Sequence, residues 1–445
     1  MASQNLHCIA GTLDTYALHL SLQSGLPSEV AFALNALSLV SEACRTPEQP
    51  AGLKFQLSDC GPLLDTLLDM LEELAFPPQV DMSANGKATR SRTEPQTYRE
   101  MSLLALADTK LRRMKKRPEP VLPPRKILLS ILCTLRNFAA SLDNSQTLYR
   151  HPRFIPLLLR LVSTSNRPTL ADLDWSDILT IKKDVLVLLA EVSVDLNLES
   201  LSPASITDLW QFLFFWLSER PEYDDPLQAN SSNNMTISVG HLGVYADLAL
   251  SIFTKLGALD QNRNVLSANL PKGEILVSIY DTLLDLLPSS CDELLMLATP
   301  FGNLGATLER ASMGLFLLAF LASSRTKERL RIKTRLAMAT HRMITLMTSI
   351  QKLESNVNII SCSRLVETLL LLYEESEVKT IAQDEPFFGT IEEGVKDDDR
   401  EKGNGSRTSV FDDYVSLHTS QAFDALCMRQ LPPGLGVLLF RLCAK

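Results

Sequence analysis

Five times along this chain an apolar stretch with helical periodicity closes on a small residue and a polar turn. The stretches are ALNALSLVSEA at 33–43, TLRNFAASLDN at 134–144, LLAEVSVDLN at 188–197, IFTKLGALDQN at 252–262 and FLLAFLASSRT at 316–326. The small residues Ser41, Ala140, Ser193, Gly257 and Ala322 are expected to let neighbouring helices approach closely. A recurrence of this kind marks stacked helical units, each too small to bury its apolar face alone. Leu dominates the apolar residues and no segment of any length alternates with period two, so strands are not expected. The expectation is an all-α solenoid whose irregular repeat spacing reflects long inserted loops.

The first helices are expected over 5–22 and 28–44, separated by Gly25 as a helix stop and Pro27 as a helix start. A third opens at Pro62 and ends near Phe76, completing a unit of N-terminal repeats over 1–76. Residues 77–126 read as a mobile basic loop, interrupted by one short helix at 101–108. Central repeats fill 127–375, with helices at 126–140, 151–162, 175–194, 203–217, 239–256, 273–287, 291–298, 307–323, 327–352 and 356–375. A loop is expected at 221–236. Residues 376–410 read as an acidic loop, since Glu374 to Lys402 holds eleven acids and four bases. Helices at 412–428 and 435–443 close the chain within 411–445 and are expected to pack on the solenoid.

The 445 residues carry a net charge of -9, so nucleic acid can be met only locally. The polar groups of the first 22 residues argue against a secretory signal, and no apolar run approaches a membrane span. The eight cysteines form no CxxC pair and, with the six scattered histidines, no zinc spacing. They read as reduced core residues of a cytosolic or nuclear protein. Phosphate-cradling loops, HExxH, GxSxG and EF-hand patterns are all missing. The expectation is a non-enzyme with no cofactor or metal.

Three features need weighing. Lys110, Arg112, Arg113, Lys115, Lys116 and Arg117 form a dense basic run within 109–126, where eight bases meet the single acid Glu119. It is a candidate for nuclear import or nucleic-acid contact; the plain alternative is a solvated loop. LxxLL patterns at Leu64–Leu68 and Leu283–Leu287 lie mid-helix and read as core stripes. Asn35 and Asn137 sit where a helical-repeat protein of the armadillo type can line a peptide groove, although bonding to an adjacent turn is the simpler role.

Residues 22–42, 135–162 and 184–202 resemble the C-terminal region of the large ARID-bearing subunit of SWI/SNF chromatin remodellers, of the fungal type. The middle block carries most of the likeness: an Arg-Asn pair, a polar turn with Asn and a His before an apolar helix, here Arg136, Asn137, Asn144 and His151. The resemblance implies an armadillo-like core and a non-catalytic scaffold subunit in the nucleus. Its partners would be the ATPase subunit's helical segment and the paired SWIRM/SANT-type scaffold subunits. No ARID module is recognisable, so direct DNA binding does not transfer. The competing reading is a cytosolic armadillo-like adaptor for transport or signalling.

Overall fold

The computed structural model describes residues 14–45, 55–76, 97–114, 123–163, 173–217, 243–271, 274–288, 290, 304–333, 335–349 and 356–381. Every regular element among them is a helix. Helix starts follow from local chemistry. α1 (Thr15–Gln23) is capped by Asp14, whose side chain accepts from the Tyr16 and Ala17 amides. Gly25, at φ 68°, makes the left-handed turn into α2 (Pro27–Cys44). Prolines in the first turn open α2, α3 (Gly61–Ala75), α5 (Pro124–Ala139) and α9 (Pro203–Leu217). Asp174 and Asp177 form a reciprocal capping box at the start of α8 (Trp175–Val192).

The contacts divide the chain into two compact units, residues 1–222 with 243–271, and residues 223–242 with 272–445. The first unit also holds α4 (Tyr98–Met114), α6 (Leu142–Arg150), α7 (Phe154–Val162), α10 (Val244–Ala258) and α11 (Asp260–Ala268). Its long helices pack in two rows. One runs α2, α5, α8, α10, each against the next; the other runs α1, α3, α7, α9. Across the rows α1 meets α2, α3 meets α5, α7 meets α8 and α9 meets α10. Single-turn 3-10 helices at Leu57–Cys60 and Leu198–Ser200 precede α3 and α9, and α6 precedes α7.

The core lies between the rows. Leu128, Ile131, Leu132, Leu135 and Phe138 of α5 are each 0% exposed. At about 1.5–3 kcal/mol per large apolar side chain, this one face outweighs any helix propensity. Leu158, Leu161, Leu186 and Leu189 are buried with them. The stripe Leu64, Leu67, Leu68 is core, as the pattern predicts. So are Ser41, Ser193 and Gly257, but Ala140 is exposed; the small residue that α5 buries near its end is Ala139.

In the second unit α13 (Leu304–Leu321) lies along α16 (Asn356–Ile381), which α14 (Ser324–Lys333) and α15 (Leu336–Ser349) also touch, while α12 (Glu274–Asp285) packs on α13 and α14. Leu283, Leu286 and Leu287 are buried.

Several elements differ from the sequence expectation. The basic stretch carries a seventeen-residue helix, α4, docked on α8, where one short helix in a loop was expected. Its first half buries Met101 and Ala105, and the following bases suit a helix C-terminus. The polar turns 142–150 and 260–268 are helices, α6 and α11. The helix expected at 327–352 is two, α14 and α15, and α16 runs on to Ile381. The helix 291–298, the loop 221–236, the acidic loop beyond 381 and the helices of 411–445 lie outside the described residues.

Candidate interaction surface and its internal clamps

The four residues that carry the family likeness each bind another helix or turn of the first unit. Asn137 is buried near the end of α5, and its Nδ2 donates to Ser41 Oγ at 3.3 Å and Glu42 Oε2 at 3.2 Å, both at the end of α2. Arg136, its neighbour, pairs with Asp184 of α8 and also donates to Asn137 Oδ1 at 3.4 Å. Asn144, in the first turn of α6, is 1% exposed. Its Oδ1 accepts from the Leu57 amide at 2.8 Å, and its Nδ2 donates to the Phe55 carbonyl at 3.1 Å. His151 Nε2 meets Asp65 of α3 at 3.0 Å. The motif therefore ties the middle of the stack to the helices on either side.

The carboxyl of Asp184 is held above the ordinary carboxylate range. Burial is the larger cause, and the charge and hydrogen bond of Arg136 oppose it. A surface ion network adds to the joint between α3 and α7. Arg153 pairs with Asp69 at 2.8 Å and Glu72 at 2.9 Å, and Arg160 pairs with Glu72 at 2.9 Å. These are half-exposed pairs, so each adds little stability. Their hydrogen bonds raise Arg153 above its usual value.

A second clamp was not anticipated from sequence. Asn262 of α11 is 0% exposed. It accepts from the Leu198 amide at 2.8 Å and donates to the carbonyls of Leu196 at 2.8 Å and Leu256 at 3.2 Å. This is the Asn144 arrangement repeated, with the Leu198–Ser200 turn in place of Leu57–Cys60. The sequence signal is visible once the partners are known: Gln56-Leu57 and Asn197-Leu198 each precede a proline, Pro62 and Pro203, by the same spacing. At the second joint Lys255 of α10 reaches back to the Ala190 carbonyl at 2.8 Å, as Asn137 reaches back to α2. Both bonds join C-terminal ends, so α2 runs parallel to α5 and α8 to α10. Exposed apolar residues follow three of them: Leu142 after α5, Val194 after α8 and Leu259 after α10.

Asn35 lies exposed on α2, and so does not share the role of Asn137. Lys110, Arg112 and Arg113 stand on the C-terminal half of α4; Lys115, Lys116 and Arg117 lie outside the described residues. At its other end α4 is anchored by Tyr98, whose ring sits 5.0 Å from Trp216 and 5.9 Å from Tyr245. Lys183 of α8 lies over the same rings, 4.6 Å from Tyr245 and 5.5 Å from Tyr98. Lys182 is buried beside it, donating to the Val162 carbonyl at 3.4 Å and lying 4.5 Å from the Phe215 ring centre.

Among the described residues no group of three or more His, Cys, Asp or Glu could hold a metal ion, and no helix is long and apolar enough to cross a membrane. Burial pushes the Cys362 thiol up to about 12, which leaves almost no thiolate for chemistry at neutral pH. Tyr280 is likewise raised by burial.

No family model matches the chain. A fission yeast protein, the SWI/SNF chromatin-remodelling complex subunit sol1 of Schizosaccharomyces pombe, is 26% identical over 271 residues. The match takes in 57% of this chain and 30% of that protein, so the chain spans less than a third of the relative's length.

Proposed function

We propose that the chain is a non-catalytic scaffold subunit of a SWI/SNF-type chromatin-remodelling complex and acts in the nucleus. The observation that carries this reading is the distant similarity to a fission yeast SWI/SNF subunit. The two rows of helices in the first unit, with a short helix or turn before each of α3, α7 and α9, support an armadillo-like solenoid as its frame. Such a frame is suited to holding several partners at once, because each unit adds surface without a new core. The partners by this reading are the helical segment of the ATPase subunit and the paired SWIRM/SANT-type scaffold subunits. The chain bridges them without turnover of its own.

Co-expression with those partners tests the proposal. The expected result is one complex that survives size-exclusion chromatography in high salt, since apolar contacts are little screened. A chain that elutes alone, and that recovers no remodeller subunits from its native cells, overturns the proposal in favour of a cytosolic adaptor.

A further inference from the structure

α4 belongs to neither row of the first unit: α2, α5, α8, α10 and α1, α3, α7, α9 pack as rows without it. In sequence it lies between α3 and α5, in a stretch (76–123) much longer than those joining α7 to α8 (163–174) or α9 to α10 (218–243). Its main contact is nevertheless with α8, and not with the two helices that flank it in the chain.

Docking buries little of this helix. Among residues 98–107 only Met101 and Ala105 are buried, while Leu103 and Leu104 are 53% and 39% exposed. Ser102 Oγ is buried with no hydrogen-bond partner, a cost that the undocked helix does not bear. A seventeen-residue helix with a charge-rich second half is marginal alone in water, so α4 owes its helical form to docking. Few buried apolar side chains and a dependence on one neighbour are the marks of a segment that opens before the rest of a fold.

At the N-terminal end of α4 one ammonium and three rings meet, each from a different helix. Tyr98 of α4 lies 5.0 Å from Trp216 of α9 and 5.9 Å from Tyr245 of α10, and the latter two rings are 5.4 Å apart. Lys183 of α8 places Nζ 4.6 Å from the centre of Tyr245 and 5.5 Å from that of Tyr98. Tyr245 stands beside Lys183 whether α4 is docked or not, because α8 and α10 are neighbours in one row. Tyr98 is the ring that docking adds. The attraction between this ring and the half-buried ammonium exists only in the docked state, so the charge of Lys183 favours docking.

We propose that α4 is a strap that opens and closes on the stack, with the charge of Lys183 as its latch. Opening uncovers the rings of Trp216 and Tyr245. It also turns the backbone of Lys110, Arg112 and Arg113, on the same α4, from helix to open chain. The inference concerns the first unit alone and does not depend on the scaffold reading.

Hydrogen exchange of the full chain, followed on peptides covering 98–114, α5 and α8, tests the strap. The amides of α4 are expected to exchange well ahead of those of α5 and α8. Lys183→Gln speeds α4 a further two- to fivefold, roughly the worth of one partly exposed cation–π contact, and leaves α5 and α8 unchanged. Lys183→Arg keeps the parent rates, because a guanidinium also sits on an aromatic face. In a Tyr98→Leu background Lys183→Gln adds nothing for α4, since the contact that it removes is already gone. Exchange of α4 no faster than that of α5 and α8 overturns the strap. A Lys183→Gln variant that leaves α4 unchanged, speeds all three helices alike, or acts as strongly beside Tyr98→Leu as beside Tyr98 overturns the latch.

Discussion

Truncating Asn144 to alanine tests whether the clamps, rather than the apolar face alone, set the register of the stack. The side chain holds the Leu57 amide and the Phe55 carbonyl. Leu57 is 0% exposed, so its amide cannot turn to water when the partner goes. A buried group left unsatisfied costs about 1–3 kcal/mol, and the half-buried Phe55 carbonyl less than the amide. The expected loss for Asn144→Ala is ~2–4 kcal/mol. Asn262→Ala strands three groups and should lose somewhat more, ~3–5 kcal/mol by the same rule. Asn144→Asp is the sharper variant. A carboxylate can still accept from the Leu57 amide but cannot donate to the Phe55 carbonyl, and it places a charge in a buried site. It should be worse than alanine. The readout is urea unfolding followed by tryptophan fluorescence. The three tryptophans, Trp175, Trp210 and Trp216, all lie in the first unit and are all buried, so the signal reports that unit alone. With a parent stability of roughly 5–15 kcal/mol, combining both alanine variants should unfold much of the unit, and the two losses should add within about 0.5 kcal/mol because the clamps share no partner. Alanine variants within about 0.5 kcal/mol of the parent, or an aspartate variant as stable as alanine, would refute the reasoning.

Arg136→Ala removes the partner of the buried Asp184 carboxylate and should cost about 3 kcal/mol at pH 7. The folded-state pKa of Asp184 is already raised, and losing Arg136 raises it further. That group's contribution is fully present below its unfolded value and lost as pH rises through the folded one, so the variant's deficit should shrink when urea unfolding is repeated toward pH 4. Replacing Leu135 or Leu189, both 1% exposed or less, by Asp should cost ~3–5 kcal/mol by the same measurement, and two such variants melting like the parent would misplace the core. Changing Lys110, Arg112, Arg113, Lys115, Lys116 and Arg117 together to Ala should abolish nuclear accumulation of a fluorescent fusion while Tm falls little; unchanged accumulation removes this run as the necessary import signal.

What could be read in the sequence follows the burial of apolar side chains. α5, α8 and α9 are visible because each buries a long face of Leu, Ile, Phe or Trp, and their periodicity is strong enough to place both ends within a few residues. α6 and α11 are not visible. Asn144, Ser145 and Leu148 are the buried residues of α6, and Asn262 and Leu266 those of α11, so neither has an apolar stripe to find. Each is instead pinned by its asparagine to a turn some sixty to ninety positions earlier. α4 is a related case. Tertiary contact at Tyr98, Met101 and Ala105 stabilises a helix whose second half is rich in charge, and composition alone reads such a stretch as loop.

The residues that carry the likeness to a family are polar, and the sequence does not give their roles. Asn137, Asn144 and His151 are polar residues in or beside apolar helices, and each holds a partner in another element. Their partners lie at Ser41, Leu57 and Asp65, beyond any local window, so a pattern can mark the positions while hiding the bonds.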